Sequence, residues 1–289
     1  MAMDEVIAGM TRQIGHIRGV TRLVEPLRHY YARHYRLAKD PNVIVHQLDG
    51  TLSFQLDRRA QMSNLIYWYG VQGISELMVL KRRARPTDVF IDVGANIGVF
   101  TLLMAQQVPQ GKVIAFEPSP VNYASIVENT KLNQLDNVIA LNCGLSDTPG
   151  ELPLYVADEE QTQTNCNATL LKGGVFTHLA GMVELRVLDE VLPTLNIERV
   201  DLMKIDTEGA ELQVLRGARQ TLEQYRPSIV IEINQMFNDA GYDVEEVIAF
   251  LQSLHYTPLL IKRNGQVQPV AWEQVAGMHF CNLLCEPQA

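Results

Sequence analysis

Two stretches of this 289-residue chain carry residue types that could hold a nucleoside: Asp92-Val-Gly-Ala-Asn-Ile-Gly98 and Glu117. The first follows a short apolar run, Val89–Val93, and leads into a helix. Glycine in such a turn lets backbone pass close to a ligand where a side chain would collide. A pyrophosphate site would need G-x-G-x-x-G at the helix N-terminus. With Gly94 as the first glycine, Asn96 and Val99 stand where the other two belong, so that fingerprint fails at two of its three positions. S-Adenosylmethionine (SAM) carries an amino-acid group, a sulfonium and a ribose but no phosphate. Asp92, ending one strand, can meet its ammonium directly or through water, and Gly94 and Gly98 let the chain run beside its methionine portion. Glu117, ending the next strand, can accept bonds from both ribose hydroxyls. A loop and an acid at neighbouring strand ends are more specific together than the glycines alone. The competing reading is an ordinary turn in which Asp92 satisfies nearby amides.

Further along, Asn142–Asp147 follows the third strand. Ser146 or Asp147 could take the adenine amino group while Phe116 or Leu145 covers a ring face, although Ser146-Asp147-Thr148-Pro149-Gly150 also reads as a plain turn. Ser119, the expected N-cap of a helix with Pro120 at its first position, adjoins the same site and counts among the candidate cofactor contacts. Ligands of open α/β sheets lie beyond the carboxyl ends of the strands. Two later strands end in Lys204-Ile-Asp206-Thr-Glu208-Gly209 and Ile231-Glu232-Ile-Asn234. Asp206 is expected to face the transferable methyl, and period two puts Glu232 and Asn234 on one face. Two chemistries compete there. A carboxylate, Asp206 or Glu208, could act as general base on an acceptor hydroxyl. Alternatively Asp206, Glu232 and Asn234 could hold Mg²⁺, which would lower the acceptor's pKa. Glu208 could equally cap the helix that follows. His178 is a further candidate base, with an exposed loop histidine as the plain alternative. Lys204 reads as a strand residue tied to a neighbouring acid. The amide- and hydroxyl-rich stretch Gln161–Asn167 suits a lid over a polar acceptor. Tyr67, Trp68 and Tyr69 could floor the acceptor pocket or pack as core.

The elements that must position these residues are legible as alternation. Val89–Val93, Lys112–Glu117, Val138–Asn142, Val200–Asp206 and Ser228–Asn234 read as buried strands. Helices are expected over Ile97–Gln107, Pro120–Asn133, Ala210–Gln224 and Val244–Leu254. This implies right-handed βαβ units and a doubly wound, mostly parallel sheet. Glu151–Val156 is a further strand in an otherwise irregular stretch. Tyr256–Lys262 and Met278–Leu284 have too little between them for an ordinary crossover, so they are expected to be antiparallel. Leu65–Arg83 reads as one helix leading into the domain. Residues 1–52 read as a helical extension with a hairpin signalled by Asp49-Gly50, and 53–289 as the catalytic domain. The basic amphipathic stretch Thr11–Leu37 could cap the domain, lie on a membrane surface, meet an acidic partner or join two copies.

Apolar residues make up 47% of the chain, enough for a sizeable core. The net charge of −9 argues against a nucleic-acid partner, which needs a basic face. The four cysteines read as buried thiols of a reducing compartment. No signal-peptide core and no run of 18 apolar residues is found, so the chain reads as cytoplasmic without a transmembrane segment.

The sequence also resembles a known family. DVGANIGVFTLLMA, KVIAFEPSPVNYASIVENTKLN, LSDTPGELPLYV, VLDEVL, VDLMKIDTEGAELQVLRGA and RPSIVIEIN, in that order, are similar to the FkbM methyltransferases. The block at 204–218 is the most family-specific, whereas DVGANIG is shared with many methyltransferases. The resemblance covers about residues 54–261. It implies a class I, Rossmann-like fold with a seven-stranded sheet, SAM as methyl donor and a hydroxyl acceptor on a sugar or secondary metabolite. It also brings in Glu76, an acid that recurs in the family pattern, as a contact for the methionine end. An NAD(P)-dependent oxidoreductase and a non-catalytic SAM-binding protein are the rival classes; the missing glycines weigh against the first, the strand-end carboxylates against the second.

Overall fold

Five parallel strands lie at the centre of the computed structural model, which describes residues 3–14, 20–35, 37, 40–48, 50–157, 169–170, 172, 177–235 and 243–288. Ahead of them come helices α1 (Met3–Ile14) and α2 (Val20–Tyr35), the antiparallel hairpin β1 (Asn42–Val45) and β2 (Phe54–Asp57), and helices α3 (Gln61–Tyr69) and α4 (Ile74–Arg83). Strands and helices then alternate: β3 (Val89–Val93), α5 (Val99–Gln107), β4 (Lys112–Phe116), α6 (Pro120–Leu132) and β5 (Val138–Leu141). A small sheet of β6 (Gly144–Leu145), β7 (Gly150–Val156) and β8 (His178–Arg186) follows, then α7 (Leu188–Thr194). The remainder is β9 (Leu202–Ile205), α8 (Glu211–Gly217), α9 (Arg219–Tyr225), β10 (Ser228–Asn234), α10 (Val244–Ser253), β11 (Tyr256–Ile261), β12 (Val267–Pro269), α11 (Trp272–Ala276) and β13 (Phe280–Pro287).

The main sheet runs β12-β11-β13-β10-β9-β3-β4-β5. From β10 to β5 it is parallel, and β13 lies antiparallel between β10 and β11. This is the doubly wound sheet with an antiparallel last strand that the alternation implied. The short β12 adds an eighth strand at the edge, one more than expected. The winding reverses between β3 and β9, which opens a crevice at their carboxyl ends.

Period two divides the core. Val89, Ile91 and Val93 of β3 join Met203 and Ile205 of β9 and side chains of α8 and α10 on one face. Phe90, Leu202, Val230 and Leu284 face the other way, into a cluster with Leu102 and Met104 of α5, Leu80 of α4, Tyr67 and Trp68 of α3, Phe54 and Leu56 of the hairpin and Ala8 of α1. Each such side chain removed from water contributes roughly 1.5–3 kcal/mol. The N-terminal helices and hairpin therefore share a core with one face of the sheet. Tyr67 and Trp68 are part of it.

Two expected helices are split. Leu65–Arg83 breaks around Gly70 and Gly73, both left-handed (φ 84° and 67°), giving α3 and α4. Ala210–Gln224 breaks after Gly217, where a side chain would overlap the carbonyl oxygen of Ser146. Strand β8 occupies residues 178–186, which show no clear period in sequence; it forms by pairing with β7, with a register shift between Leu154 and Tyr155. Asp49 and the stretch Gln161–Asn167 lie outside the described residues. Cys143, Cys281 and Cys285 are free and buried. Among the described residues no helix is long and apolar enough to cross a membrane.

Candidate cofactor and acceptor site

A cavity of about 740 Å³ opens at the carboxyl ends of β3, β4, β9 and β10, a size suited to a small-molecule site. Of the residues singled out in sequence, Glu76, Gly94, Asn96, Phe116, Glu117, Asp206, Glu208 and Glu232 line it.

The turn after β3 is built from left-handed residues: Gly94 (φ 76°), Asn96 (φ 52°) and Gly98 (φ 87°). Asparagine tolerates that region better than most side chains, and its Oδ1 accepts from the Ile97 amide at 2.9 Å. A Cβ on Gly94 would overlap the carbonyl oxygen of Asp206, so glycine is what lets the β3 and β9 ends meet. Gly98 is constrained by Leu102 and Ile126, and it lies outside the lining. The turn positions the Asn96 amide to donate to Glu117 Oε2 at 2.7 Å. Ser119 caps α6 and sends its own amide to Glu117 Oε1 at 2.9 Å; the Asn122 side chain donates to the same oxygen at 3.4 Å. A carboxylate has about four lone-pair sites, so three donors leave room for more. Burial pushes the Glu117 carboxyl up to about 7, opposed by these hydrogen bonds. Ser119 thus acts by holding Glu117.

Asp92 sits otherwise. It is fully buried beneath the turn, outside the cavity lining, and accepts from Thr101 Oγ1 of α5 at 2.6 Å. Its other oxygen has no hydrogen-bond partner among the described residues. Burial raises its pKa, with Lys204 opposing. The two residues are register partners on adjacent strands, and their face continues to Glu232 on β10 and its partner Asn282 on β13. Asn282 in turn donates to Glu76 of α4. A polar row therefore crosses one face of the sheet at its carboxyl end. Lys204 is its cation: buried, 2.9 Å from Asp206 Oδ2 and 4.9 Å from the centre of the Phe100 ring. Burial works to lower its pKa, but Asp206, Asp92 and Glu232 outweigh burial and raise it.

Around this ammonium stand three acids that line the cavity: Asp206, Glu208 and Glu232. Burial first, then the charges of Asp206 and Glu211, push Glu208 up to about 7. Burial, then Asp206, Glu208 and Glu211, push Glu232 up to about 8. Glu208 itself is left-handed (φ 54°). Helix α8 has no side-chain N-cap, so Glu208 does not fill the capping role considered for it; Glu211 is buried and ties the preceding loop, accepting from the Thr207 amide and hydroxyl at 2.9 Å each and from the Gly209 amide at 3.2 Å. Glu211 fixes the 207–209 loop; the four-residue spacing from Thr207 was its only sequence signal. Lys204 and Asn282 gave less, because their roles depend on cross-strand register.

The remaining candidates fall elsewhere. Ser146 and Asp147 lie outside the lining, where Gly144 and Leu145 take that wall; Asp147 is exposed and accepts from Ser146 Oγ at 3.3 Å. His178 is exposed at the start of β8, its Nδ1 3.2 Å from the Ala157 carbonyl oxygen, and does not line the cavity. Asn234 also lies off the lining and donates to Glu232 Oε1 at 3.4 Å. No group of three or more His, Cys, Asp or Glu side chains that could hold a metal ion occurs among the described residues. Of the three ligands considered for Mg²⁺, Asp206 is paired with Lys204 at 2.9 Å, and Asn234 lies off the cavity lining and donates to Glu232. Of the aromatic run 67–69, Tyr67 and Trp68 are core, while Met62 and Ile66 from the same helix reach the cavity.

A doubly wound sheet with this strand order, a glycine turn after its first strand and an acid closing the second defines a class I methyltransferase fold. Residues 92–258 match the family model described as the methyltransferase FkbM domain, and the chain belongs to that family. Methyltransferase sdnD of Sordaria araneosa is 36% identical over 195 residues, 55% of this chain and 75% of the relative. Hexuronic acid methyltransferase AglP of Haloferax volcanii is 27% identical over 188 residues, 65% of this chain and 71% of the relative. The 31-O-demethyl-FK506 methyltransferase FkbM of Streptomyces tacrolimicus is 27% identical over 221 residues, 67% and 83% of the two chains.

Proposed function

We propose that this chain transfers the methyl group of SAM to a hydroxyl oxygen of a sugar or secondary metabolite. The observation that carries this reading is Glu117: a buried carboxylate, held by Asn96 and Ser119 amides, opening into the same cavity as Asp206, Glu208 and Glu232. Its remaining lone-pair site suits a ribose hydroxyl, and a second hydroxyl would take the place of the long Asn122 contact at 3.4 Å. Phe116 and Leu145 offer apolar walls for a purine, and Gly94 offers bare backbone. One relative's name, 31-O-demethyl-FK506 methyltransferase, supports an oxygen acceptor, and another's, hexuronic acid methyltransferase, supports a sugar.

SAM, when bound, supplies an already activated methyl group that needs an in-line nucleophile. The protein's share is to orient the acceptor and take its proton. Glu232 serves as the base: it lines the cavity beside Asp206 and Glu208, and burial with their charges raises its carboxyl toward neutrality. Lys204 keeps its charge and holds Asp206 in place. Glu208 and Asp206 present further acceptors to a polyhydroxylated substrate.

Incubation with methyl-deuterated SAM and a panel of neutral sugars, uronic acids and polyketide alcohols tests this. Carbon NMR of the product is expected to place the label on oxygen. Label on nitrogen or carbon would refute O-methylation. Tight SAM binding with no label in any acceptor of the panel would favour a non-catalytic role.

A further inference from the structure

Helix α1 is amphipathic in the inverted sense. Asp4, Ala8 and Thr11 are buried, while Met3, Val6 and Met10 are 70%, 39% and 61% exposed. The buried polar groups are satisfied. Asp4 Oδ2 accepts from the hydroxyls of Tyr35 at 2.6 Å and Tyr67 at 3.2 Å and pairs with Arg58 at 3.2 Å. Thr11 donates to the Ile7 carbonyl at 2.8 Å. Helix α2 continues the pattern. Tyr35 is buried and Val24 and Tyr31 are half-buried against the body, whereas Leu23, Leu27 and Tyr30 are 79%, 37% and 56% exposed. Spacings of three and four residues set each exposed trio in one stripe. Both helices pack on α3, so the stripes stand on the side away from the body.

The basic charge lies beside the α2 stripe; α1 carries Asp4 and Glu5 in its first turn and a half-buried Arg12 in its last. Arg28 is held by Glu25 at 2.6 Å, but Arg22 and Arg33 are exposed and have no ion pair among the described residues. They sit in a chain whose net charge is −9. We propose that α1 and α2 form a docking surface for an anionic lipid bilayer. A second copy of the chain is the poorer occupant. A two-fold interface sets the patch against itself, so free Arg22 and Arg33 would meet a surface whose own free charges have the same sign. A bilayer interface takes apolar side chains to the headgroup boundary and pairs the arginines with anionic lipid. Six large apolar side chains on two adjoining helices also form a larger unpartnered face than a scatter of exposed residues would. Because α3 lends Met62 and Ile66 to the cavity wall, docking sets that side of the cavity near the headgroups.

Flotation of the full chain with vesicles tests the surface without reference to methyl transfer. Phosphatidylcholine vesicles containing phosphatidylglycerol are expected to carry the protein at low salt and release it at high salt; pure phosphatidylcholine vesicles are expected to carry much less. Arg22→Glu with Arg33→Glu is expected to weaken partitioning roughly tenfold or more. Met10→Asp with Leu23→Asp is expected to do the same, with an unchanged thermal melt because all four side chains are exposed. Should the second pair unfold the chain, the arginine pair alone decides. Absence of binding to anionic vesicles at low salt, equal binding to neutral ones, or wild-type partitioning by the arginine variant would overturn the proposal. So would a dimer in sedimentation velocity that Met10→Asp with Leu23→Asp dissociates, with no vesicle binding, since the stripe would then belong to a second copy.

Discussion

The two ends of the cavity treat their acids in opposite ways. At the β4 end Glu117 stands among donors: two backbone amides and the Asn122 side chain. At the β9 and β10 end, Glu208 and Glu232 stand with Asp206 around Lys204, and neighbouring negative charge adds to burial in raising the two glutamates. The first arrangement is preorganised for binding: amides fix the carboxylate before a ligand arrives, so little ordering is left to do. The second sets raised carboxyls, Glu208 at about 7 and Glu232 at about 8, beside one another and beside Lys204, an arrangement suited to acid–base chemistry. The two ends thus differ in their neighbours, fixed donors around Glu117 and other carboxylates with Lys204 around Glu208 and Glu232, while all three acids are raised toward neutrality.

The sharpest way to break this contrast is to remove Lys204. Lys204→Met leaves Asp92 and Asp206 without their neutralising partner, and losing one member of a buried ion pair costs about 3–5 kcal/mol. Urea denaturation is expected to show that loss. A variant as stable as the wild type would mean that Asp92 holds its proton regardless and that the row does not depend on Lys204.

Next comes the base. Glu232→Gln is expected to lower kcat by roughly 10²–10³ while KM changes little, as for loss of a positioned general base. The pH profile supplies the sign. Glu208 and Glu232 are raised to about 7 and about 8, so the base form grows as pH rises through that window. In the wild type, kcat/KM is expected to climb to a plateau above about pH 8, with the two carboxyls titrating as a unit. In Glu232→Gln the limb is expected to flatten. An unaltered limb in that variant would move the base elsewhere. The smallest effect is expected at the sites the structure sets apart. His178→Ala and Ser146→Ala are expected to leave kcat/KM within about twofold, because neither side chain reaches the cavity. A hundredfold loss at His178 would bring it back as the base.

Much of the binding end was legible in the sequence, and much less of the chemical end. Strands β3, β4, β5, β9 and β10 announce themselves as apolar runs between helical stretches, and an acid at the end of such a run points to the crevice whatever the packing. That logic put Glu117 and Asp206 at the crevice, and both line it. It misjudged Asp92, because position on a strand does not reveal that the side chain turns under the loop to meet Thr101. It read Gly98 as ligand clearance, although the neighbour is Ile126 of α6. Lys204, Asn282 and Glu76 form their row through register between β3, β9, β10 and β13 and a contact from α4, and such long-range pairing has no local signature. The break between α3 and α4 was marked by Gly70 and Gly73, whereas β8 needed its partner β7 to become visible.

Calorimetric titration of SAM into the wild type and Glu117→Ala, across neutral pH, bears most directly on the central claim that Glu117 clasps the ribose. Affinity in the wild type is expected to rise with pH through about 7, as the Glu117 carboxyl ionises and accepts the hydroxyl protons more strongly. In the variant, affinity is expected to fall by about 2–4 kcal/mol, roughly 30- to 1,000-fold, and to lose that pH dependence. Equal affinity in the two proteins, or tighter binding of a nicotinamide dinucleotide than of SAM by the wild type, would contradict the account.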